Sequence, residues 1–293
     1  MKVALCCIIK EENKYLVEYV EHYKSLGFSH IYIYDNNDKN GEHPEEVLQS
    51  YINDNFVTVI DVKDKKRPQL KVYQLCYNTY NSQYDWMCFF DADEFLCIKN
   101  CKYKNINDVL SQDIYKNYNC IVVNWEVYGD NENLYYSPEP IQTRFTQLAL
   151  NNTTISVIVK SIIKCNINTN IIWDYRIPFQ NPHTPYEYMI SLNNHNNILL
   201  YPCDSLGNVR NPWAFNLNEC YKQQTLVLKH YMSKSTEEWV NRKLTLFPDQ
   251  IATLETLNWD NFIEDYFRLN TFTMEKFRLI QKLVNEKYGY NKI

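Results

Sequence analysis

Residues 2–90 repeat one pattern: a short apolar run, a polar break, a stretch with apolar side chains at helical spacing, then the next apolar run. Strands are expected over 2–9, 30–34, 56–61 and 85–90, with helices over 11–26, 44–51 and 69–80 between them. In the first helix Leu16, Tyr19, Val20 and Tyr23 share one face, and Gly27 stands where a helix end takes a left-handed residue. Strands that alternate with helices imply right-handed crossovers, so the fold class is α/β with a mostly parallel sheet flanked by helices.

Beyond residue 90 further strands are expected at 119–127, 156–164 and 225–231, with a hairpin-like loop at 150–154. Prolines and asparagines interrupt the pattern over 171–215, which predicts loops and short strands that shape a binding site. Helices follow at 236–246, 259–269 and 274–288. In the last, Met274, Phe277, Ile280, Val284 and Tyr288 fall on one face, while Lys276, Arg278, Lys282 and Lys287 lie elsewhere. That face is expected to pack against the domain. The domain boundary is set at 245, with 1–245 as the main domain and 246–293 as a helical C-terminal extension.

A chain of 293 residues with 45% hydrophobic and 22% charged residues and only 5 glycines buries a large core, which excludes a disordered protein. The formal net charge of −5 argues against a nucleic-acid partner, because phosphate neutralisation needs a basic surplus. The first residues already read as a strand, so no leader is expected and the 10 cysteines are expected as reduced thiols, with Cys6, Cys7, Cys88 and Cys120 acting as small hydrophobes. Cys97 and Cys101 lack the partners of a structural zinc site. No apolar run is long enough to cross a bilayer. A cytoplasmic location with at most peripheral membrane contact is expected, and so are unused sequons at Asn151 and Asn152.

The run Trp86-Met87-Cys88-Phe89-Phe90-Asp91-Ala92-Asp93-Glu94-Phe95-Leu96 brings three carboxylates to the end of an apolar strand within four residues. Asp91 and Asp93 can face the same side of an extended segment, and hard oxygen donors suit Mn²⁺ or Mg²⁺. A metal held there could clamp a diphosphate. Both acids are expected at a solvent-facing strand end, where either could be replaced without disturbing the fold. Two other strand ends carry chemistry, Ile9-Lys10-Glu11-Glu12 and Tyr34-Asp35-Asn36-Asn37. Parallel strands share one carboxyl edge, so all three should cluster.

These segments, together with Lys229-His230-Tyr231-Met232-Ser233-Lys234-Ser235, resemble the GT-A nucleotide-sugar glycosyltransferases, and within them the family-2-like set related to glycosyltransferase family 92. Order and spacing agree from near residue 3 to about residue 245. The resemblance implies a GT-A (Rossmann-like) mixed sheet, a UDP-sugar donor, and a hydroxyl of a glycan or lipid-linked molecule as acceptor. Glu11 and Asp35 would lie beside the nucleoside, and Gln69 and Tyr73 would approach ribose or diphosphate. Asp93 would be the stronger metal ligand, with Asp91 shared between metal and ribose. His230 would return to the metal, and Lys234 would neutralise the departing diphosphate. An inverting reaction needs a carboxylate base facing the acceptor. Glu126, Asp174 and Asp204 are open candidates, and His183 in Pro182-His183-Thr184-Pro185 resembles a His-X-Pro element of the family. The family's Phe-Gly-Ser-Ser-Gly element is replaced by Tyr128-Gly129-Asp130-Asn131-Glu132, a departure that bears on acceptor and donor.

Three other readings compete. A nucleotidyltransferase would use the same metal clamp but usually has a glycine-rich first loop, and residues 7–13 hold no glycine. A non-catalytic carbohydrate-binding protein would use the many Tyr and Trp residues without needing carboxylates at one strand edge. A metal-dependent phosphatase would want more clustered ligands than 6 scattered histidines offer.

Overall fold

The computed structural model describes residues 1–65, 68–151, 158–166, 202–203, 205–206, 224–244 and 259–288. The chain forms two compact units, the first made of Met1–Trp125 and Ser156–Leu228, the second of Glu126–Ile155 and Lys229–Ile293.

The first unit opens with β1 (Val3–Ile9), α1 (Asn13–Ser25), β2 (His30–Asp35), α2 (Glu45–Asn53), β3 (Val57–Asp61), α3 (Gln69–Tyr80) and β4 (Trp86–Phe89). This is the expected alternation. β1 reads as an unbroken apolar run because helices cover both faces of a parallel sheet. Ala4, Cys6, Tyr32, Tyr34, Met87 and Phe89 point to one face, where they pack with Val72, Tyr73, Cys76 and Tyr77 of α3. On α1, Tyr15, Leu16, Tyr19, Val20 and Tyr23 are buried together. Tyr19 and Tyr23 meet Phe95 and Phe90 edge-on or tilted. Cys6, Cys7, Cys88 and Cys120 are fully buried among these side chains, as small hydrophobes would be.

The end of α1 shows how local chemistry sets the entry to β2. The N–H groups of Gly27 and Phe28 donate to the carbonyls of Lys24 and Tyr23, a Schellman arrangement that needs a left-handed residue, and Gly27 has φ +82°. A Cβ there would also stand 3.2 Å from Cβ of Asn105. Gly27→Ala is expected to cost about 1–2 kcal/mol from the left-handed backbone alone. A thermal midpoint equal to that of the parent would contradict it.

Strand order is the feature that places the site. The nine-stranded sheet runs β3-β2-β1-β4-β7-β6-β9-β5, with β8 (Pro202–Cys203) paired to β6 off this path. β3, β2, β1 and β4 are mutually parallel, and β7 (Val159–Lys164) lies antiparallel to both β4 and β6 (Cys120–Val127). The chain moves outward from β1 to β3 and then crosses back to β4 on the other side of β1. A crevice opens at such a reversal, outside the carboxyl ends of β1 and β4. Two elements were not expected there: β5 (Glu94–Ile98), which begins directly after the acidic residues, and the short helix α4 (Ile106–Leu110). β9 (Leu226–His230) matches the expected strand at 225–231.

The second unit contains the short helix α5 (Ile141–Arg144) and the helices α6 (Thr236–Leu244), α7 (Trp259–Phe267) and α8 (Met274–Tyr288). Trp239, Val240, Phe262, Tyr266, Ile280 and Val284 form its core. α6 starts with a reciprocal cap, in which Ser235 N donates to Glu238 Oε2 and Glu238 N donates to Ser235 Oγ. Glu238 also takes both guanidinium nitrogens of Arg144, at 2.8 and 3.0 Å. Lys276 departs from the expected helix face: it is 1% exposed and its Nζ lies 2.7 Å from Asp130 Oδ2. Met274, placed on the apolar face by spacing, is 53% exposed. No helix among the described residues is long and apolar enough to cross a membrane.

Candidate active site

The carboxyl ends of β1, β2 and β4 carry the residues that the sequence singled out. At β2, Asp35 is 1% exposed. Its Oδ1 accepts from the backbone N and side-chain Nδ2 of Asn37, and its Oδ2 is paired with Lys63 Nζ at 3.0 Å. Asn36 is turned inward and donates to the carbonyls of Val62 and Lys65. At β1, Glu11 adopts φ +56° and its N–H donates to Asn37 Oδ1, which ties the ends of β1 and β2 together. Lys10 reaches Asp38 at 2.7 Å. Asp35 therefore works as the internal anchor of this edge, while the Glu11 side chain is exposed.

At β4 the chain turns sharply. Asp91 N donates to Glu94 Oε2, and Glu94 N donates to the Asp91 carbonyl, so Glu94 closes the turn and starts β5. α1 braces the turn from behind, where Tyr23 OH donates to the Glu94 carbonyl and accepts from Leu96 N. The two aspartates sit in different surroundings. Asp91 has 28% of its side chain exposed, whereas Asp93 is 1% exposed, so only the first faces outward as expected.

The Asp91 carboxylate is engaged at both oxygens. Oδ1 accepts from Gln69 Nε2 at 2.9 Å and from Tyr73 OH at 3.0 Å, and Oδ2 pairs with Lys160 Nζ at 2.7 Å. Gln69 and Tyr73 are one helical turn apart on α3, which is why both reach the same oxygen. The helix leading into β4 thus meets the acidic turn through the two residues that the resemblance placed near ribose or diphosphate. Lys160 was not foreseen. β7 runs antiparallel to β4 with Cys88 opposite Ile162, so Lys160, two residues further along, arrives where β4 ends. A lysine inside Val159-Lys160-Ser161-Ile162-Ile163 is the signal that was available, because a charge on a strand buried on both faces needs a partner.

Lys160 is fully buried. Burial alone would lower its proton affinity, but Asp91 and Glu94 outweigh it and hold the ammonium above its ordinary value. Burial pushes the Glu94 carboxyl well above the usual carboxylate range, with Lys160 pulling the other way. Removing the Asp91 carboxylate would leave this ammonium to Glu94, 3.7 Å away, and to the charge of Asp93. Alanine at position 91 is therefore not neutral for the fold, contrary to the expectation for an exposed strand end.

Asp91 and Asp93 supply hard oxygen donors of the kind a divalent cation takes. Among the described residues, however, no group of three or more His, Cys, Asp or Glu side chains is placed to hold one. The fit is to an ion carried on one or two carboxylates and completed by oxygens of its ligand, as Mg²⁺ prefers.

The remaining candidates divide as follows. Glu126, His230 and Lys234 belong to the second unit. Glu126 Oε2 accepts from Tyr128 OH at 3.3 Å, and the His230 carbonyl accepts from Tyr128 N. Lys234 has φ +54° and is 3% exposed. Asp174, His183 and Asp204 lie outside the described residues.

The sequence profile of glycosyltransferase family 92 matches residues 2–244. This chain belongs to that family. No curated protein matches it significantly. Among solved structures, residues 1–349 of S. aureus TarS share 14% identity over 56% of this chain and 47% of that one, with a TM-score of 0.36. A crystal structure of the same TarS fragment in complex with UDP-GlcNAc is 13% identical over 56% of this chain and 45% of that one, with a TM-score of 0.36. The mannosyltransferase PcManGT from Pyrobaculum calidifontis, in complex with GDP-Man and Mn²⁺, is 11% identical over 42% of this chain and 35% of that one, with a TM-score of 0.31. The family-92 chain spans less than half the length of each of these. Likenesses this partial speak to neither donor nor acceptor.

Proposed function

We propose that this protein transfers a sugar from a nucleotide diphosphate donor, a UDP-sugar first among the candidates, to a hydroxyl of a glycan or lipid-linked acceptor. One observation carries the reading: in a chain of glycosyltransferase family 92, the acidic turn Asp91–Glu94 stands at the strand-order reversal, outside β4 and next to β1. A crevice there suits a nucleotide. Glu11 at the end of β1 is the exposed group offered to the nucleoside, and Asp35 keeps that edge in shape through Asn37.

The donor's charge calls for a cation, and Mn²⁺ or Mg²⁺ on Asp93 would supply Lewis-acid stabilisation of the departing diphosphate. Gln69, Tyr73 and Lys160 hold the neighbouring Asp91. Inversion at the anomeric carbon would require a base on the acceptor side. Glu126, Asp174, Asp204 and His183 are the residues to substitute for it.

A donor-hydrolysis screen over UDP- and GDP-sugars, with and without Mn²⁺, tests the proposal. Release of UDP from one UDP-sugar, dependent on Mn²⁺, is the expected result. Hydrolysis of GDP-sugars alone would overturn the donor assignment, equal rates in chelator would overturn the metal, and inactivity on every donor would overturn sugar transfer.

A further inference from the structure

A left-handed lysine stands just ahead of α6 in the second unit. Lys234 has φ +54°, a conformation that is costly for a residue with a Cβ and persists only where its surroundings impose it. Ser233, Lys234, Ser235 and Thr236 are all buried. The residues on either side of the lysine are gripped from the C-terminal helices. Ser233 Oγ accepts from Asn270 Nδ2 at 3.1 Å, and Thr236 Oγ1 lies 2.7 Å from the Tyr266 hydroxyl. Tyr266 gives its one proton to Asp130 Oδ2, so Thr236 is the donor of that bond. With Asn270 Nδ2 engaged by Ser233 and by the Tyr266 carbonyl, its Oδ1 is turned to Asp130 N at 2.7 Å. Two side chains thus fasten the segment 233–236 to the loop at 128–132. Helix formation does not require this grip, because α6 already starts on the reciprocal cap of Ser235 and Glu238. What the grip fixes is the backbone at Lys234.

We propose that Asn270 and Tyr266 are positioning residues that hold the segment 233–236, with Lys234 left-handed within it, in the conformation that sugar transfer uses. Both lie beyond residue 244, where the family profile ends, so a part of the chain outside the resemblance sets the geometry of a segment inside it. The proposal rests on the sugar-transfer reading above and on the part in it that the resemblance gives to Lys234.

Two measurements on the full-length protein test it: hydrogen exchange over residues 231–236, read by mass spectrometry, and steady-state UDP release from the UDP-sugars of the donor screen with Mn²⁺ present. The variants are Ser233→Ala and Tyr266→Phe, each alone and combined with Lys234→Met, with Gly27→Ala as a control that loosens the fold without touching the segment. Ser233→Ala and Tyr266→Phe are expected to speed exchange of these amides about tenfold, and Gly27→Ala to leave them near the parent. In the two single variants kcat should fall about tenfold or more, with donor KM changed less than about threefold. On the Lys234→Met background the same substitutions should cost less than about twofold further. A merely structural grip would shift the melt and the exchange but leave kcat within about twofold of the parent, which would overturn the proposal. Equal fold-losses with and without Lys234→Met would place the effect elsewhere and overturn it too. Unchanged exchange in both single variants would overturn the grip while leaving sugar transfer standing. No UDP release by the parent from any donor would overturn sugar transfer and this use of the segment together, even where exchange shows the grip. Should Tyr266→Phe fail to fold, Ser233→Ala decides alone, since it removes one hydroxyl and leaves the bonds to Asp130 in place.

Discussion

Asp93→Asn is expected to lower turnover of the best donor by more than about a hundredfold, the scale of removing one electrostatic stabiliser of a charged transition state. The amide keeps the size of a side chain that is 1% exposed, so the melting midpoint should stay within a few degrees of the parent. The loss should fall on kcat, since charge develops on the leaving diphosphate only as the glycosidic bond breaks. Initial rates across donor and Mn²⁺ concentrations separate this from weaker binding. Turnover within about threefold of the parent, at saturating Mn²⁺, would remove Asp93 from the mechanism.

Lys276→Met is expected to destabilise the protein by about 3–5 kcal/mol, the usual cost of leaving one member of a buried ion pair uncompensated. Asp130 is 3% exposed and its Oδ2 takes both Lys276 Nζ and the Tyr266 hydroxyl, while Oδ1 accepts from Glu132 N. With the ammonium gone, the charge stays buried on two neutral donors. The double variant Asp130→Asn with Lys276→Met should recover part of the loss, giving a coupling energy above about 1 kcal/mol in a double-mutant cycle. Urea unfolding of the four proteins measures it. A single-variant loss below about 1 kcal/mol would mean that the pair does not hold this unit together.

That network explains how the C-terminal helices relate to the rest of the second unit. The family profile ends at residue 244, yet Tyr266, Asn270 and Lys276 lie beyond it and all bind Asp130, which lies inside it. Asp130 stands where related sequences are expected to carry Phe-Gly-Ser-Ser-Gly. In this chain the segment is built as a buried polar knot: Asn131 and Glu132 have positive φ, and Asn270 receives the Asp130 N–H. Truncation at 245 would take Tyr266, Asn270 and Lys276 away from Asp130.

Much of the first unit was legible because its signals are local. Apolar runs separated by helical spacing determined β1 to β4 and α1 to α3, and Gly27 marked the end of α1 through a backbone requirement that few other residues meet. The acidic turn was legible from composition alone, since three carboxylates closing an apolar strand are unusual. Gln69 and Tyr73 were singled out through the family resemblance, as groups approaching ribose or diphosphate, and their contact with Asp91 came only with the structure. The strand β5 escaped notice because it starts within the turn itself, with Glu94 serving both.

What local pattern could not carry is which groups face each other across long separations. The order β3-β2-β1-β4-β7 decides that Lys160 meets Asp91, 69 residues away, and that an antiparallel strand delivers a cation to the end of a parallel one. Spacing put Lys276 off the apolar helix face, but a buried Asp130 146 residues earlier draws it inward. The sequence by itself determined β1 to β4 and α1 to α3, the chemistry of the strand ends and the family resemblance. Only the tertiary structure decided the partners of the charges, because an ion pair is set by distance in space, and residue spacing along the chain constrains that distance only within one helix or strand.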